Sequence, residues 1–593
     1  MFGVGVRNEA LSTSGITHAV EHLALHALGP QSYAWNGAVG PVSTRFLVAG
    51  RSEDVIDFLL FVARQLRNLP VERLEEELRI LQIEGKGREY GQVQADVATR
   101  FGPNDVGLIG WPEYGLFRLD ADELRRWADH WFSAQNAVLW IAGPLPSGLR
   151  LDELPQGQPV SRSGAPRVLP PPRSWLRERA RSVSISVMST GERWGTGPAM
   201  QIARERAMDR LRRRDAISYQ IDTARLRIGD GRSLDVLHAD GSEGSYRRVF
   251  DGLTAILEEF ADGGPNNDEL ERFRQARRQF LDDPQAVTAT LDNAAERHLL
   301  GLGDLTLDQV EERFDQLTTQ DLRDDLAAVL PTALAIGPLP AGESIAGWHE
   351  HEDWSPNRFS GVEYQPIEGR EHGTLIVGPD GLSWVRDPNR VRSVAWDEVL
   401  ASVASDGGVR QVIGKTGVSV VVAPWNWQRG HELTERVDGS IDPTLCVPMG
   451  DGAPHYRVNP DDPDSLRDFR WLGTVIGARH DSVPVDLVFD TDGIFLLYFG
   501  FRKTSATERL NQYQRLDRDT LVGMDPSNRW IPEAQIAAAS VTKGARARVL
   551  GIKGCLTLRM VDGERLRIRL TTDAQVGRVR TSLGKILGTR FTR

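Results

Sequence analysis

The sequence predicts an α+β protein in which two related half-domains are followed by two small β-rich modules. Amphipathic helical stretches and short strands alternate through roughly the first 340 residues. Residues 141–146 (Ile-Ala-Gly-Pro-Leu-Pro) and residues 336–340 (Ile-Gly-Pro-Leu-Pro) repeat one ending, which indicates that one unit has been duplicated. Beyond residue 360 the chain changes to short strands separated by turn residues, and each series is followed by one helical stretch.

The bulk composition is that of a globular protein with several domains. The chain has 593 residues, of which 40% are hydrophobic and 26% are charged. Its net charge of −11 argues against nucleic acid as a partner. The two cysteines, Cys446 and Cys555, lie in separate regions, so no disulfide framework is expected. No signal peptide and no transmembrane segment is predicted, and the expected location is cytoplasmic.

The stretch with the clearest chemistry is residues 15–26, where His18-x-x-Glu21-His22 lies in an apolar helical pattern. Positions four apart share one face of a helix, so His18 and His22 project together. Two imidazoles at this spacing suit one Zn²⁺, and Glu21 lies between them, where it can polarise a metal-bound water. The pattern is the inverse of His-Glu-x-x-His. The alternative is a chance match, and a third ligand is needed to decide.

A third ligand is predicted on the helix that follows Pro70, a residue well placed in a first helical turn. Glu77 and Glu84 lie two turns apart on one face of that helix, so both can point at the same partner. His26, one turn beyond His22, is the alternative, as the fourth ligand that would close a purely structural zinc site.

Together these residues resemble the motif set of the insulinase/pitrilysin family of zinc metallopeptidases, which includes the mitochondrial processing peptidases. The resemblance implies that one Zn²⁺ per chain is held by His18, His22 and Glu84. It also implies that Glu21 is the general base and that Glu77 lies behind the site. The gap between His22 and Glu84 is shorter than in most members, which indicates a trimmed loop. Family members enclose their substrate between two halves, so a clamshell is expected.

The first half-domain is predicted to span residues 1–160. The stretch from Asn36 resembles the family's edge strand that pairs with the substrate backbone, or it is an ordinary turn into a strand. Family members carry further strands before this region, so either the start is misassigned or the first sheet lacks an edge. The other expected elements are a strand at 2–6, a helix at 52–66 capped by Ser52, a helix at 120–132 and a strand at 137–142.

The second half-domain is predicted at residues 165–345, after a linker rich in Pro, Gly and Ser. It begins with an alternating strand at 182–188 and carries no second His-x-x-Glu-His, as expected of the family's non-zinc half. Residues 211–219 resemble the family segment that supplies an arginine and a tyrosine across the cleft, which identifies Arg212 and Tyr219. The alternative is a basic helix end followed by a strand.

Residues 341–356 are predicted to form a hydrophilic connector, although the alternating His and Glu after Trp348 also suit a metal. The β-rich modules are predicted at residues 360–450 and 480–593, with one strand expected at 394–400. Strands followed by one helix resemble tandem pleckstrin-homology-like modules, which leaves a protein or lipid partner open.

Three functions are compatible with these features. The first is a zinc-dependent endopeptidase that hydrolyses short or unfolded peptides through a metal-activated water, with Glu21, Arg212 and Tyr219 as catalytic residues. The second is a catalytically inactive peptidase-like scaffold whose C-terminal modules contact a partner or lipid. The third is a purely structural zinc site. An intact base and a complete ligand set favour the endopeptidase, because a scaffold needs neither.

Overall fold

The computed structural model describes residues 1–449 and, further on, residues 474–480, 483–489, 493–498, 528–542 and 554–570 with a few isolated positions. Gaps in the first range fall at residues 88–90, 159, 161–167, 170–172, 178–181, 192, 243, 340–344, 352–353, 367–371 and 406–407. Helices and strands are mixed along the described chain, which confirms the predicted α+β class. Part of the predicted linker lies outside the described residues.

The first half-domain packs its helices around the helix that carries the histidine motif. Phe2 bridges both Thr44 and Ala137, so the segments predicted as strands at 2–6 and 137–142 join the sheet only through single bridges. Both are wrong as full strands. The helix predicted from Ser52 is present, but Arg51 takes the cap position. The elements are α1 Ile16–Leu25, β1 Ala34–Val39, β2 Thr44–Ala49, α2 Ser52–Arg67, α3 Leu74–Gly87, α4 Gln92–Phe101 and α5 Ala121–Trp131.

The second half-domain is built on a six-stranded sheet with the order β5-β6-β4-β7-β3-β8. A π-helical segment, Met208–Arg214, continues α6. The elements are β3 Ser174–Arg177, β4 Ser182–Thr190, α6 Thr196–Ala207, β5 Ile221–Gly229, β6 Arg232–Asp240, α7 Tyr246–Gly263, α8 Asn267–Leu281, α9 Pro284–Leu299, α10 Leu307–Gln316, α11 Thr319–Val329, β7 Leu334–Gly337 and β8 His349–Glu350.

The two half-domains share one topology. In the second, the β5–β6 hairpin pairs with β4 and β4 pairs with β7, both antiparallel. In the first, the β1–β2 hairpin meets Phe2, and Phe2 meets Ala137, in the same order. Helix α1 follows the segment of Phe2 and α6 follows β4, and α2 and α7 each follow the hairpin. The correspondence supports the predicted duplication, although the first sheet is much reduced.

Part of the predicted connector belongs to the second half-domain. Trp348 is only 8% exposed and packs edge-on against Phe250, with ring centroids 5.3 Å apart. Arg173 stacks over the same indole at 5.4 Å. The following residues, His349 and Glu350, pair in parallel with β3. A hydrophilic composition hid this contact because one buried tryptophan is enough to anchor the segment.

The two C-terminal modules repeat one strand order. The first has sheets β12-β11-β10-β9 and β15-β14-β13-β16, and the second has β20-β19-β18-β17-β23-β22-β21-β24. In each copy the last strand pairs in parallel, β16 with β13 and β24 with β21. The bounds are β9 Val362–Tyr364, β10 Thr374–Val377, β11 Gly381–Asp387, β12 Arg390–Ala395, β13 Val399–Ser405, β14 Val409–Gly414, β15 Ser419–Val422, α12 Gly430–Asp438, β16 Cys446–Pro448, β17 Thr474–His480, β18 Val483–Phe489, β19 Gly493–Tyr498, β20 Arg529–Pro532, β21 Ile536–Thr542, β22 Gly554–Met560, β23 Arg565–Leu570 and β24 Phe591–Thr592.

The single strand predicted at residues 394–400 is wrong. It is divided between β12 and β13 by a 3₁₀ corner, Trp396–Glu398, and the second copy has the same corner at Glu533–Gln535. A β-bulge follows each corner, at the start of β13 and of β21. The sequence pattern alone did not show that the backbone turns between β12 and β13.

The first C-terminal module packs directly on the first half-domain. Val403, Ile413 and Val447 are buried in one apolar cluster with Leu11 and Tyr114. The side-chain amide of Asn104 also donates to the carbonyl of Lys415 at 2.8 Å. The module therefore covers the segments around residues 11 and 114, on either side of the start of α1.

No helix among the described residues combines the length and the apolar character needed to cross a membrane.

The half-domains meet at α4, where an apolar cluster joins Val97 and Phe101 to Ile228 and Val236. Arg100 is 2% exposed there, and its Nη2 donates to the carbonyls of Ser186 (2.5 Å) and Thr332 (2.9 Å). Asp96 lies one turn earlier, and burial raises its pKa to about 6 while burial lowers the pKa of Arg100 to about 10. One buried guanidinium therefore holds α4 against the second sheet.

Replacing Arg100 with leucine is expected to lower the free energy of unfolding by ~3–5 kcal/mol, because it leaves two buried carbonyl groups without their donor and Asp96 without the neighbouring positive charge. Chemical denaturation followed by circular dichroism measures the change. Arg79→Leu on the exposed face of α3 is the control and should stay within about 0.5 kcal/mol of wild type. If Arg100→Leu lost no more stability than the control, Arg100 would not be the residue that holds α4 against the second sheet.

Candidate metal centre

Helix α1 has Gly15 at its N-cap position, and glycine has no side chain to cap the first N–H groups. The carboxylate of Glu9 accepts hydrogen bonds from the backbone N–H of Gly15 (2.8 Å) and of Thr17 (2.9 Å). Burial raises the pKa of Glu9 to about 7. The folded protein thus holds a proton that the unfolded chain releases near its ordinary pKa of 4.5, and Glu9 contributes less stability as the pH rises between these values.

The two histidines of α1 lie side by side, with ring centroids 4.9 Å apart and ring planes nearly perpendicular. Nδ1 of His18 lies 3.1 Å from Oε1 of Glu113, and Nδ1 of His22 lies 3.4 Å from Oε2 of Glu77. A carboxylate on one ring nitrogen fixes the tautomer and orients the other nitrogen, as is usual for metal-binding histidines. Nε2 is then the nitrogen that each ring presents to a metal.

Glu21 is only 6% exposed and lies against the hairpin strand β1. A Cβ on Gly37 would fall 1.8 Å from Oε1 of Glu21, so no larger residue fits opposite this carboxylate. Burial raises the pKa of Glu21, and the positive charge available to His22 and His18 opposes that rise. Its Oε2 lies 3.9 Å from Nε2 of His22. A carboxyl with a raised pKa suits proton transfer near neutral pH.

The predicted acidic residues of α3 reach the same histidine from its two edges. Oε2 of Glu84 lies 3.9 Å from Nε2 of His22, and the Glu84 side chain is 48% exposed. Glu77 is 5% exposed and lies on the Nδ1 edge, where Arg73 approaches it at 3.8 Å. His26 instead directs Nδ1 to the carbonyl of Leu23 at 3.1 Å.

Arg212 and Tyr219 meet each other but not this cluster. The guanidinium of Arg212 stacks over the Tyr219 ring at 4.5 Å, and the tyrosine is 73% exposed. Within the described residues, no hydrogen bond or ion pair joins either side chain to the histidines or to Glu21. The pair lies between α6 and β5, the topological counterpart of the segment between α1 and β1.

The donor set fits Zn²⁺. One ligand atom from each of His18, Glu21 and His22 lies within 4.8 Å of the others. The distance of 3.9 Å between Glu84 and His22 approaches the ~3.4 Å that separates two ligands of a tetrahedral zinc. The structure thus brings His18, Glu21 and His22 together and places Glu84 at the Nε2 edge of His22.

Two residues of this centre, Glu9 and Glu113, were missed by the sequence reasoning. Glu113 follows Trp111 and Pro112 in a stretch without helical or strand periodicity, and nothing in its spacing points to His18. Glu9 left a weak signal: a helix with glycine at its N-cap position needs an acceptor from elsewhere, and Glu9 is the nearest preceding acidic residue.

No protein-family model matches the chain, and neither does any curated protein. Solved structures that it resembles include a protease from Helicobacter pylori, at 14% identity over 56% of this chain and 91% of that chain, with a TM-score of 0.47. A peptidase M16 inactive domain from Pseudomonas fluorescens is 10% identical over 58% and 93%, with a TM-score of 0.48. The periplasmic protease PqqL from Escherichia coli is 12% identical over 69% and 55%, with a TM-score of 0.44. These partial likenesses are too distant to assign an activity, so the function is argued from the geometry of the site.

Replacing Glu113 with glutamine is expected to weaken Zn²⁺ binding by ~10–100-fold, because the neutral amide holds the His18 ring less firmly in its ligating orientation. Competition against a chromogenic chelator measures the affinity. Glu72→Gln on an exposed position serves as the control and should leave it unchanged. Wild-type affinity in Glu113→Gln would show that the carboxylate does not orient the ring.

Proposed function

We propose that this protein is a zinc-dependent peptidase. The observation that carries the proposal is a group of side chains that converge at α1. The two imidazoles each have Nδ1 beside a carboxylate, and the buried carboxylate of Glu21 lies next to them. The carboxylate of Glu84 approaches Nε2 of His22. A structural site needs no buried base beside its ligands. The same arrangement is what a hydrolase requires to activate water and to transfer its proton.

Bound Zn²⁺ would polarise the scissile carbonyl and lower the pKa of water. Glu21 takes the proton from the attacking water and delivers it to the nitrogen of the leaving amine, so the peptide C–N bond breaks without releasing a free amide anion. Glu77 and Glu113 keep the imidazoles oriented, and Gly37 leaves the space in which the Glu21 carboxylate lies.

The β1–β2 hairpin supports a peptide as the substrate. Strand β1 pairs only with β2 within the described residues, and it lies against the Glu21 carboxylate. An extended peptide added to its other edge would run past the base, and main-chain hydrogen bonding of this kind requires an unfolded or flexible segment. The proposed substrates are therefore short or unfolded peptides.

The second candidate is a catalytically inactive scaffold. The observation that favours it is the separation of Arg212 and Tyr219, which are exposed and stacked on each other without reaching the cluster. A pleckstrin-homology-like role of the C-terminal modules, a protein or lipid partner for them, and the cytoplasmic location stay predictions.

Glu21→Gln should keep about one zinc per chain and lose peptide hydrolysis, because the amide preserves the shape of the side chain without accepting the proton. Zinc content by metal analysis and turnover of an unfolded peptide library are the readouts, and chelation should abolish turnover of the wild type. Glu75→Gln, on a highly exposed side chain of α3, is the control. Undiminished turnover in Glu21→Gln would exclude Glu21 as the base, and absence of turnover in the wild type would favour the scaffold.

Glu84→Gln should weaken zinc binding by ~tenfold or more, because a charged ligand is replaced by a neutral one. His26→Ala should change it little, since Nδ1 of His26 is directed to the carbonyl of Leu23. Zinc titration of both variants separates the two assignments. The reverse result would identify a site formed by three histidines.

Tyr219→Phe and Arg212→Ala should each lower kcat/KM by ~10²–10³ if the two halves close over the substrate, because each removes a donor to a peptide carbonyl or to the developing oxyanion. Zinc content and Tm should stay unchanged. Arg213→Ala, at the next exposed position, is the matched control. Wild-type kinetics in both variants would show that these residues serve only local structure.

A further inference from the structure

The second half-domain contains a cavity of about 240 Å³ between the β5–β6 hairpin and helices α6, α8, α9 and α10. None of the motif residues lines it. Its described lining contains no acidic side chain. Six arginines contribute to the lining: Arg193, Arg225, Arg227, Arg232, Arg277 and Arg297.

Four of these arginines are held from behind by a carboxylate that does not line the cavity. The pairs are Arg193 with Asp325 (3.2 Å), Arg225 with Asp235 (3.3 Å), Arg227 with Glu296 (3.1 Å) and Arg277 with Glu311. In each pair the carboxylate holds the guanidinium from one side, and the cavity lies against another side of the same group. Arg232 and Arg297 form no ion pair within the described residues, so the lining carries an excess of positive charge.

The guanidinium of Arg297 is incompletely satisfied. Its Nη2 donates to the carbonyl of Leu302 at 2.8 Å, but its Nε is buried and has no hydrogen-bond partner among the described residues. Burial lowers its pKa, and the neighbouring charges of Arg227 and Arg313 lower it further, while the charge of Asp304 opposes the shift. An anion in the cavity would supply an acceptor for the Nε group and further negative charge beside the guanidinium.

The surroundings are built to hold guanidinium groups in place. The guanidinium groups of Arg297 and Arg313 lie over the Trp194 ring, 5.7 Å and 5.0 Å from its centroid, and Arg277 stacks on Phe314 at 3.9 Å. These aromatic faces fix the cations and exclude water from one side of them. A Cβ on Gly197 would lie 2.6 Å from Nη1 of Arg225, so this guanidinium packs closely against the backbone of α6.

Helix α6 adds to the positive field. Gly197, Pro198 and Gln201 of its first turns line the cavity. The positive end of the helix dipole therefore lies beside the arginines, an arrangement suited to anions.

We propose that this cavity binds a small, multiply charged anion of the phosphate class, such as pyrophosphate or a compact phosphate ester. Guanidinium groups form paired hydrogen bonds with phosphate oxygens, and several oxygens on one centre can engage several arginines at once. The volume is below that of pockets for drug-sized ligands, which favours a compact anion. The proposal is independent of the peptidase proposal, because no residue is shared.

Calorimetric titration of the full chain with pyrophosphate, after removal of metal by a chelator that is then dialysed away, tests the proposal. Arg297→Gln and Arg232→Gln should each weaken binding by ~tenfold or more, since each removes a charge-assisted contact. Arg278→Gln is the matched control: it follows Arg277 on α8 but is exposed and paired with Glu271, and its effect should stay within about twofold. Melting curves establish that each variant is folded. If Arg297→Gln does not fold, the affinity of Arg232→Gln for pyrophosphate decides the test.

Three results would overturn the proposal. The first is no binding of pyrophosphate at millimolar concentration, and the second is an equal loss in Arg278→Gln, which would indicate nonspecific attraction. The third is that citrate or a hexaglutamate peptide binds as tightly as pyrophosphate, since the cavity would then recognise charge or acidic peptides rather than phosphate.

Discussion

The hydrogen bonds from the start of α1 to Glu9 are the constraint on which the rest of the motif depends. A helix with glycine at its N-cap position supplies no cap of its own, and the buried carboxylate accepts from the N–H groups of Gly15 and Thr17. That contact sets the position and the axis of α1. The direction of every side chain on the helix follows from the axis. The orientation of His18, Glu21 and His22 therefore depends on Glu9, a residue outside the motif.

The supports of the motif come from distant parts of the chain. Glu77 and Glu84 belong to α3, Glu113 to an irregular segment, and Gly37 to the hairpin. The segment of Glu113 is in turn covered by the first C-terminal module, because the adjacent Tyr114 is buried with Val403, Ile413 and Val447. A module more than two hundred residues away in the sequence thereby stabilises the carboxylate that lies beside His18. The module has a structural role at the site whatever else it binds.

The duplicated half-domains have diverged in the chemistry that they carry. The zinc-motif half keeps a short hairpin and concentrates carboxylates around one helix, whereas the second half keeps a full sheet and concentrates arginines around a cavity. Both arrangements lie next to the helix that precedes the hairpin, α1 in one and α6 in the other.

The sequence by itself determined the helices, the motif spacing and most strands, because these depend on local periodicity. It located α1, α2, α3 and α5 within a few residues and brought Glu77 and Glu84 to one helix face, since a helix fixes the relation of residues seven apart. It also revealed the duplication through a repeated ending. It could not show that the segments at Phe2 and Ala137 form only single bridges or that Trp348 anchors the connector, because those outcomes depend on partners far away in the chain.

Tertiary structure alone decided which residues stand behind the motif. Glu9 and Glu113 have no periodic relation to the histidines, and their roles arise only when folding brings them to α1. The six arginines of the cavity are likewise scattered over more than one hundred residues of sequence, and no local rule groups them. Local propensity acts over a few residues, whereas burial, which raises the pKa of Glu21 and leaves the Nε of Arg297 without a hydrogen-bond partner among the described residues, is a property of the packed molecule.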